Sequence, residues 1–157
     1  MIIFESKSSA LVKVITTGIV IVLILVSGTI SLQLIKYGLL PSIMPFVVLI
    51  LTTLYFYLNS LNCIIFSVDY IILKKNFGQK AIHISEITSI ERLSLSNLSI
   101  TAGSTGVFGF IGSTMDNSYS FVKDRTKMVR ITTKGKKYIF SCENPDELVG
   151  LLKRQKP

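Results

Sequence analysis

The sequence predicts a membrane α-hairpin of two helices followed by a small α+β domain of about seven short antiparallel strands and one C-terminal helix. Three observations carry that prediction. The stretches Val14 to Ile35 and Tyr37 to Val68 are apolar and uncharged, and only Lys36 parts them. From about Cys63 onward the pattern changes to short period-two runs broken by Gly, Asn and Ser, which is strand spacing. The chain then closes on a single amphipathic segment that starts at Asn144.

Composition supports the split. With 49% hydrophobic residues, 17% charged residues and a mean hydropathy of +0.57, a chain of 157 residues is too apolar for an ordinary soluble domain. Charge is segregated as well. Glu5, Lys7, Lys13 and Lys36 are the only charges before Asp69, whereas fourteen Lys/Arg stand against eight Asp/Glu from there on, a net of +6. That balance points to an anionic lipid surface or an acidic partner. Cys63 and Cys142 read as reduced thiols of a cytoplasmic domain, because structural disulfides need an oxidising compartment.

Residues 1–13 read as a short cytoplasmic N-terminus and residues 14–62 as the two-helix hairpin. Val14 to Ile35 is uncharged over 22 residues, enough to cross a hydrocarbon core of about 30 Å, whereas the apolar core of a cleaved secretory signal is about 7–15 residues. A retained helix is therefore expected. Ser27 and Ser31 form a small-xxx-small pair that lets helices approach closely, either the second helix or another copy of the chain. Lys36-Tyr37-Gly38 makes a minimal connection, and Pro41 suits the first turn of a second span from about Leu40 to Leu61. Pro45 lies just past that turn, and Tyr55 and Tyr57 look like an interfacial aromatic belt. Two spans put both termini on one side. Lys7, Lys13 and the basic domain place that side in the cytoplasm, at the inner membrane. Asn59-Ser60-Leu61-Asn62 is the whole junction, so the domain of residues 63–157 is pinned near the headgroups.

Within that domain the expected strands are Ile64 to Val68, Tyr70 to Lys75, Gln79 to Ile84, Ile87 to Leu93, Tyr119 to Lys123, Lys127 to Thr133 and Lys137 to Cys142. Asn76-Phe77-Gly78 and Lys134-Gly135-Lys136 are turns, Ser85-Glu86 breaks a run, and Ser94 to Ser99 is a polar tract. Asn144-Pro145-Asp146-Glu147 opens the last helix with a cap, a proline at the first position and two early carboxylates. Leu148, Val149, Leu151 and Leu152 give its apolar stripe, and Lys153 to Lys156 suit the negative end of its dipole.

Seven short strands closed by a C-terminal amphipathic helix resemble the pleckstrin-homology-like (PH-like) barrel, in which such a helix plugs the open corner of two sheets. A membrane hairpin running straight into such a domain is similar to the small bacterial PH-domain membrane proteins. The segments that carry the likeness are Ile84 to Glu91, the glycine-rich Gly103 to Gly112, and Gly135 to Leu148, and it covers roughly residues 60–155. The resemblance implies a seven-stranded antiparallel barrel and a binding role towards lipid or protein. For some relatives it implies bacteriocin self-immunity. One fold hosts many functions, so it names no ligand.

Catalytic chemistry finds no constellation. His83 is the single histidine, so no histidine-based metal cluster, Ser-His-Asp or Cys-His arrangement can be assembled. Gly103 to Thr114 lacks the lysine of a phosphate loop, and Glu86/Glu91 and Asp146/Glu147 sit at a turn and a helix start. The chain is expected to be neither an enzyme nor a cofactor or metal protein, with no small-molecule substrate and no nucleic-acid pattern. Its expected partners are membrane lipids and a protein partner, or self-association through the helices.

Two sets of contact residues stand out. The basic run Lys123, Arg125, Lys127, Arg130, Lys134, Lys136 and Lys137 would cluster at one edge of the barrel if its strands and turns supply it together. Gly103, Gly106, Gly109 and Gly112 recur at every third residue around Val107, Phe108, Phe110 and Ile111, a density of glycine that marks bulges, positive φ or close backbone approach. Those four apolar side chains belong either in the core or in a loop that projects towards the bilayer or a partner. The functional expectation is a membrane-tethered binding or scaffold module at the cytoplasmic face. The alternative is an immunity protein that protects the membrane from a peptide toxin.

Overall fold

The computed structural model describes residues 1–37, 40–93 and 98–155, with the side chains of all of these except 31–42. The connection expected at Gly38, most of the polar tract after Leu93, and Lys156, expected to end the last helix, lie outside the described residues, and of Ser31 and Pro41 only the backbone is described.

The chain opens on strand β1 (Ile2–Glu5), then helix α1 (Ala10–Tyr37) and helix α2 (Leu40–Asn59). Strands β2 (Leu61–Phe66), β3 (Tyr70–Lys75) and β4 (Gln79–His83) follow, and a single 3-10 turn, Ile84–Glu86, leads into β5 (Ile87–Leu93). Next come β6 (Ile100–Thr105), β7 (Phe110–Thr114), β8 (Ser118–Val122), β9 (Met128–Thr133), β10 (Lys137–Ser141) and helix α3 (Pro145–Gln155). Residues 10–30 of α1 are long and apolar enough to cross a membrane, and almost none of that surface is buried in the protein. The apolar part of α2, Ile43–Asn59, is shorter.

The expectation of seven antiparallel strands is corrected: the described residues form ten strands in two sheets, ordered β1-β2-β3-β4 and β5-β9-β10-β8-β7-β6. β8 and β10 are parallel, and no ladder between the two sheets is described. The three additional strands have different causes. β1 pairs with β2 from the far side of two long helices, Ile2 opposite Phe66 and Glu5 opposite Cys63. β6 and β7 are the glycine-rich segment itself, folded into a hairpin with Gly103 opposite Gly112.

Alternation along the strands divides the interior into two cores. Val129, Ile131, Tyr138 and Phe140 face the four-stranded sheet and α3, joining Phe4, Leu61, Ile64, Ile71, Leu73, Leu148 and Leu152. Met128, Ile139, Val122 and Phe110 point the other way, where Val12 from the first turn of α1 covers them at 1% exposure. α1 is therefore built into the domain's own packing. α3 starts where its sequence puts it, with Pro145 in the first turn. Among the described hydrogen bonds the Asn144 side chain does not cap a helix N–H as expected: its Nδ2 donates to Glu147 Oε2 at 3.2 Å, and its carbonyl accepts from Leu148 N–H.

Candidate functional site

The glycine-rich segment and the bases of the two helices meet in one place. Gly106 and Gly109 close the β6–β7 turn with an N–H to carbonyl bond of 3.1 Å, and Ser104 Oγ donates to the Val107 carbonyl at 2.8 Å. Both helices grip this turn. Phe108 N–H donates to Thr16 Oγ1 of α1 at 2.9 Å, and Ser60 Oγ, just beyond α2, donates to the Phe108 carbonyl at 2.8 Å. The Phe108 ring meets Tyr57 edge to face, centroids 5.3 Å apart. Gly106 lies so close to α1 that a Cβ there would stand 2.5 Å from Ile15 Cδ1. Phe108 itself takes φ +56°, the left-handed conformation that a bulky residue adopts only when its surroundings impose it.

The end of α2 is held as firmly. The last carbonyls of a helix need partners. Here Phe77 N–H bonds to the Leu58 carbonyl and Asn76 Nδ2 to the Tyr57 carbonyl, both at 2.9 Å, while Lys75 Nζ reaches Asn59 Oδ1 at 2.9 Å. On the α1 side, Ser9 N–H bonds to the Lys123 carbonyl at 3.0 Å, and Ser141 Oγ accepts from the N–H groups of Lys123 and Asp124.

The apolar contact residues proposed from sequence thus divide. Phe110 and Ile111 are buried, at 7% and 5% exposure, and Phe108 and Val107 are half-buried. The segment does lie at the helix end of the domain. What Phe108 touches there is the protein's own α2.

The basic run does not form one edge. Ser9 places the Val122 end of β8 at the base of α1, and β10 runs parallel to β8 with Lys137 opposite Ser118. Lys134, Lys136 and Lys137 therefore sit at the opposite end of the strands, about 16 Å away for five residues. All three are exposed, with Lys136 over the Tyr119 ring. Arg130 lies between the ends, bonded to Glu91 and to Asp116 at 3.0 Å. Burial pushes the Asp116 carboxyl up, but hydrogen bonds from Thr114 and Ser118 with the charges of Arg130 and Lys137 hold it below its ordinary value. Lys127 pairs with Glu143 at 3.1 Å, and the Arg125 guanidinium bonds the Leu98 carbonyl and lies over Phe110. Lys123 is half-buried, and burial draws its pKa down. Sequence adjacency had merged residues that the strands send to opposite ends.

Two cavities flank the glycine turn. One of about 440 Å³ lies between Tyr55, Phe56 and Lys75 on one side and Ile111, Tyr119 and Phe121 on the other, with Gly103 and Gly112 leaving its wall free of side chains. The other, of about 280 Å³, opens on the α1 side between Lys13, Thr16, Tyr57, Phe108 and Lys123. The remaining titratable candidates are structural. His83 Nδ1 bonds Ser85 Oγ at 2.8 Å, and the buried Cys142 thiol is pushed up to about 11 by desolvation.

Among protein families, the model of the bacterial PH domain matches residues 63–156, more than half of the chain. The chain belongs to that family. No curated protein and no solved structure gives a significant match. In this bacterial PH domain the two sheets and the C-terminal helix are consistent with a PH-like fold, and the N-terminal helices are joined to it through the clamp around Phe108.

Proposed function

We propose that this bacterial PH domain is a membrane-anchored binding module, held at the cytoplasmic face of the inner membrane by a two-span hairpin and engaging anionic lipid or a membrane protein beside it. The observation that carries the reading is the clamp. A turn gripped by Thr16 of α1 and by Ser60 and Tyr57 at the end of α2 keeps the domain at the level where the helices enter lipid, with no tether to let it wander. Pairing of β1 with β2 supports an even number of crossings, because the segments before α1 and after α2 share one sheet. The positive charge of Lys7, Lys13 and the domain supports the cytoplasmic side. Lipid is the partner that the net charge favours.

Reporter fusions test the placement. Alkaline phosphatase joined after Pro157 should be inactive and green fluorescent protein at the same position fluorescent; an active phosphatase would sink the reading. In nanodiscs, the full chain should retain phosphatidylglycerol in preference to phosphatidylcholine, and less so at high salt.

A further inference from the structure

The smaller cavity beside the glycine turn stands where the chain passes from domain to span. Lys13 and Lys123 both line it, and no carboxylate does. Neither lysine has an ion-pair partner among the described residues. The carboxylate next in sequence, Asp124, is not part of the lining and accepts at Oδ1 from the N–H and hydroxyl of Thr126. Lys13 is exposed at the rim and Lys123 is half-buried; a half-buried ammonium without a counter-charge costs free energy that a bound anion would offset, and desolvation at Lys123 already weakens its hold on the proton. Hydrogen-bond donors are at hand. Ser8, Thr16 and Thr17 line the same space, and Thr16 accepts from Phe108 N–H, which leaves its own hydroxyl proton to donate.

Depth selects the kind of anion. The apolar span of α1 begins at Ala10, so Lys13 lies in its first turn, at the level of lipid phosphates once α1 crosses a bilayer. Beyond the lysine, Val14, Val20 and Ile21 are exposed along the helix. We propose that this cavity binds the phosphate of an anionic membrane lipid, with Lys13 and Lys123 as its counter-charges and the acyl chains lying along the exposed surface of α1. The site rests on the membrane-anchored function and names the residues through which that function engages lipid. The basic turn at Lys134 and Lys136 is a strand length away and takes no part.

Native mass spectrometry of the full chain, titrated in detergent with phosphatidylglycerol or phosphatidylcholine, tests it. The wild type should bind phosphatidylglycerol first, and Lys13→Gln with Lys123→Gln should weaken that binding about tenfold to thirtyfold, as expected for two headgroup cations. Lys13→Arg with Lys123→Arg should retain most of it, which separates loss of charge from loss of fold. Lys134→Gln with Lys136→Gln should change nothing. A wild type that discriminates, with an unaltered Lys13→Gln/Lys123→Gln variant, overturns the site and leaves the wider function standing. A wild type that does not discriminate overturns both the site and the anionic-lipid half of the proposed function. Inorganic phosphate at millimolar concentration should not displace the lipid; displacement would make the ligand a soluble phosphate and overturn the lipid assignment.

Discussion

Gly103 and Gly112 face one another across the β6–β7 ladder at φ +141° and +144°. A Cβ on Gly103 would stand 2.0 Å from the Ile111 carbonyl oxygen, and one on Gly112 would stand 2.1 Å from that of Ala102. Both obstacles are backbone, so neither can rotate away. Gly103→Ala or Gly112→Ala should therefore cost at least about 3 kcal/mol, or prevent folding, by adding a steric clash to an unfavourable φ. Gly135→Ala, where nothing lies within 4 Å, should stay within about 0.5 kcal/mol. Urea denaturation of the three variants in one detergent makes the comparison, and equal midpoints would refute the close-approach account. The spacing of these glycines was legible as a demand for unusual backbone. That two of them oppose each other was not, because register belongs to the folded hairpin and not to the local sequence.

At the scale of elements, the β6–β7 turn does two jobs that adjacent residues share. Phe110 fills the core beneath α1, whereas Phe108 reaches out to Tyr57. Phe110→Ser should cost about 3–5 kcal/mol in global stability. Phe108→Ser should cost much less globally and instead loosen the joint, seen as faster amide exchange at residues 106–109 with the sheets unaffected. Equal destabilisation by both would show that Phe108 is a core residue and not a clamp. Neighbouring elements were read from sequence with mixed success, for physical reasons. β3, β5 and α3 carried their own periodicity, α3 with a proline at its start, and emerged where expected. The basic run misled because its charges lie on a strand, a turn and a return strand. Chain neighbours there are separated by the length of β8 to β10, and several already have partners in Glu143, Glu91 and Asp116.

The whole molecule is held together by contacts that cross the helices, and this is where local sequence carried least. Ile2 to Glu5 has too few residues to show a pattern, yet as β1 it completes the first sheet and brings Phe4 into the core. The family match covers residues 63–156, but Phe4, Val12 and Leu61 lie outside it and are exposed by only 5%, 1% and 1%. A soluble fragment that starts at Ile64 loses all three. At about 1.5–3 kcal/mol for each buried apolar side chain, the deficit is about 5–9 kcal/mol, as large as the whole stability of many domains. It also leaves β2 as an unpaired edge and uncovers the core that Val12 seals, both of which favour association between copies. The fragment should therefore lack near-ultraviolet circular dichroism and unfold without a cooperative urea transition, and a peptide of residues 1–13 added in trans should restore part of both. A fragment that unfolds cooperatively on its own at above about 5 kcal/mol would show that the helices and β1 merely rest against a self-sufficient domain. The clamp around Phe108 would then be an attachment rather than a part of the fold.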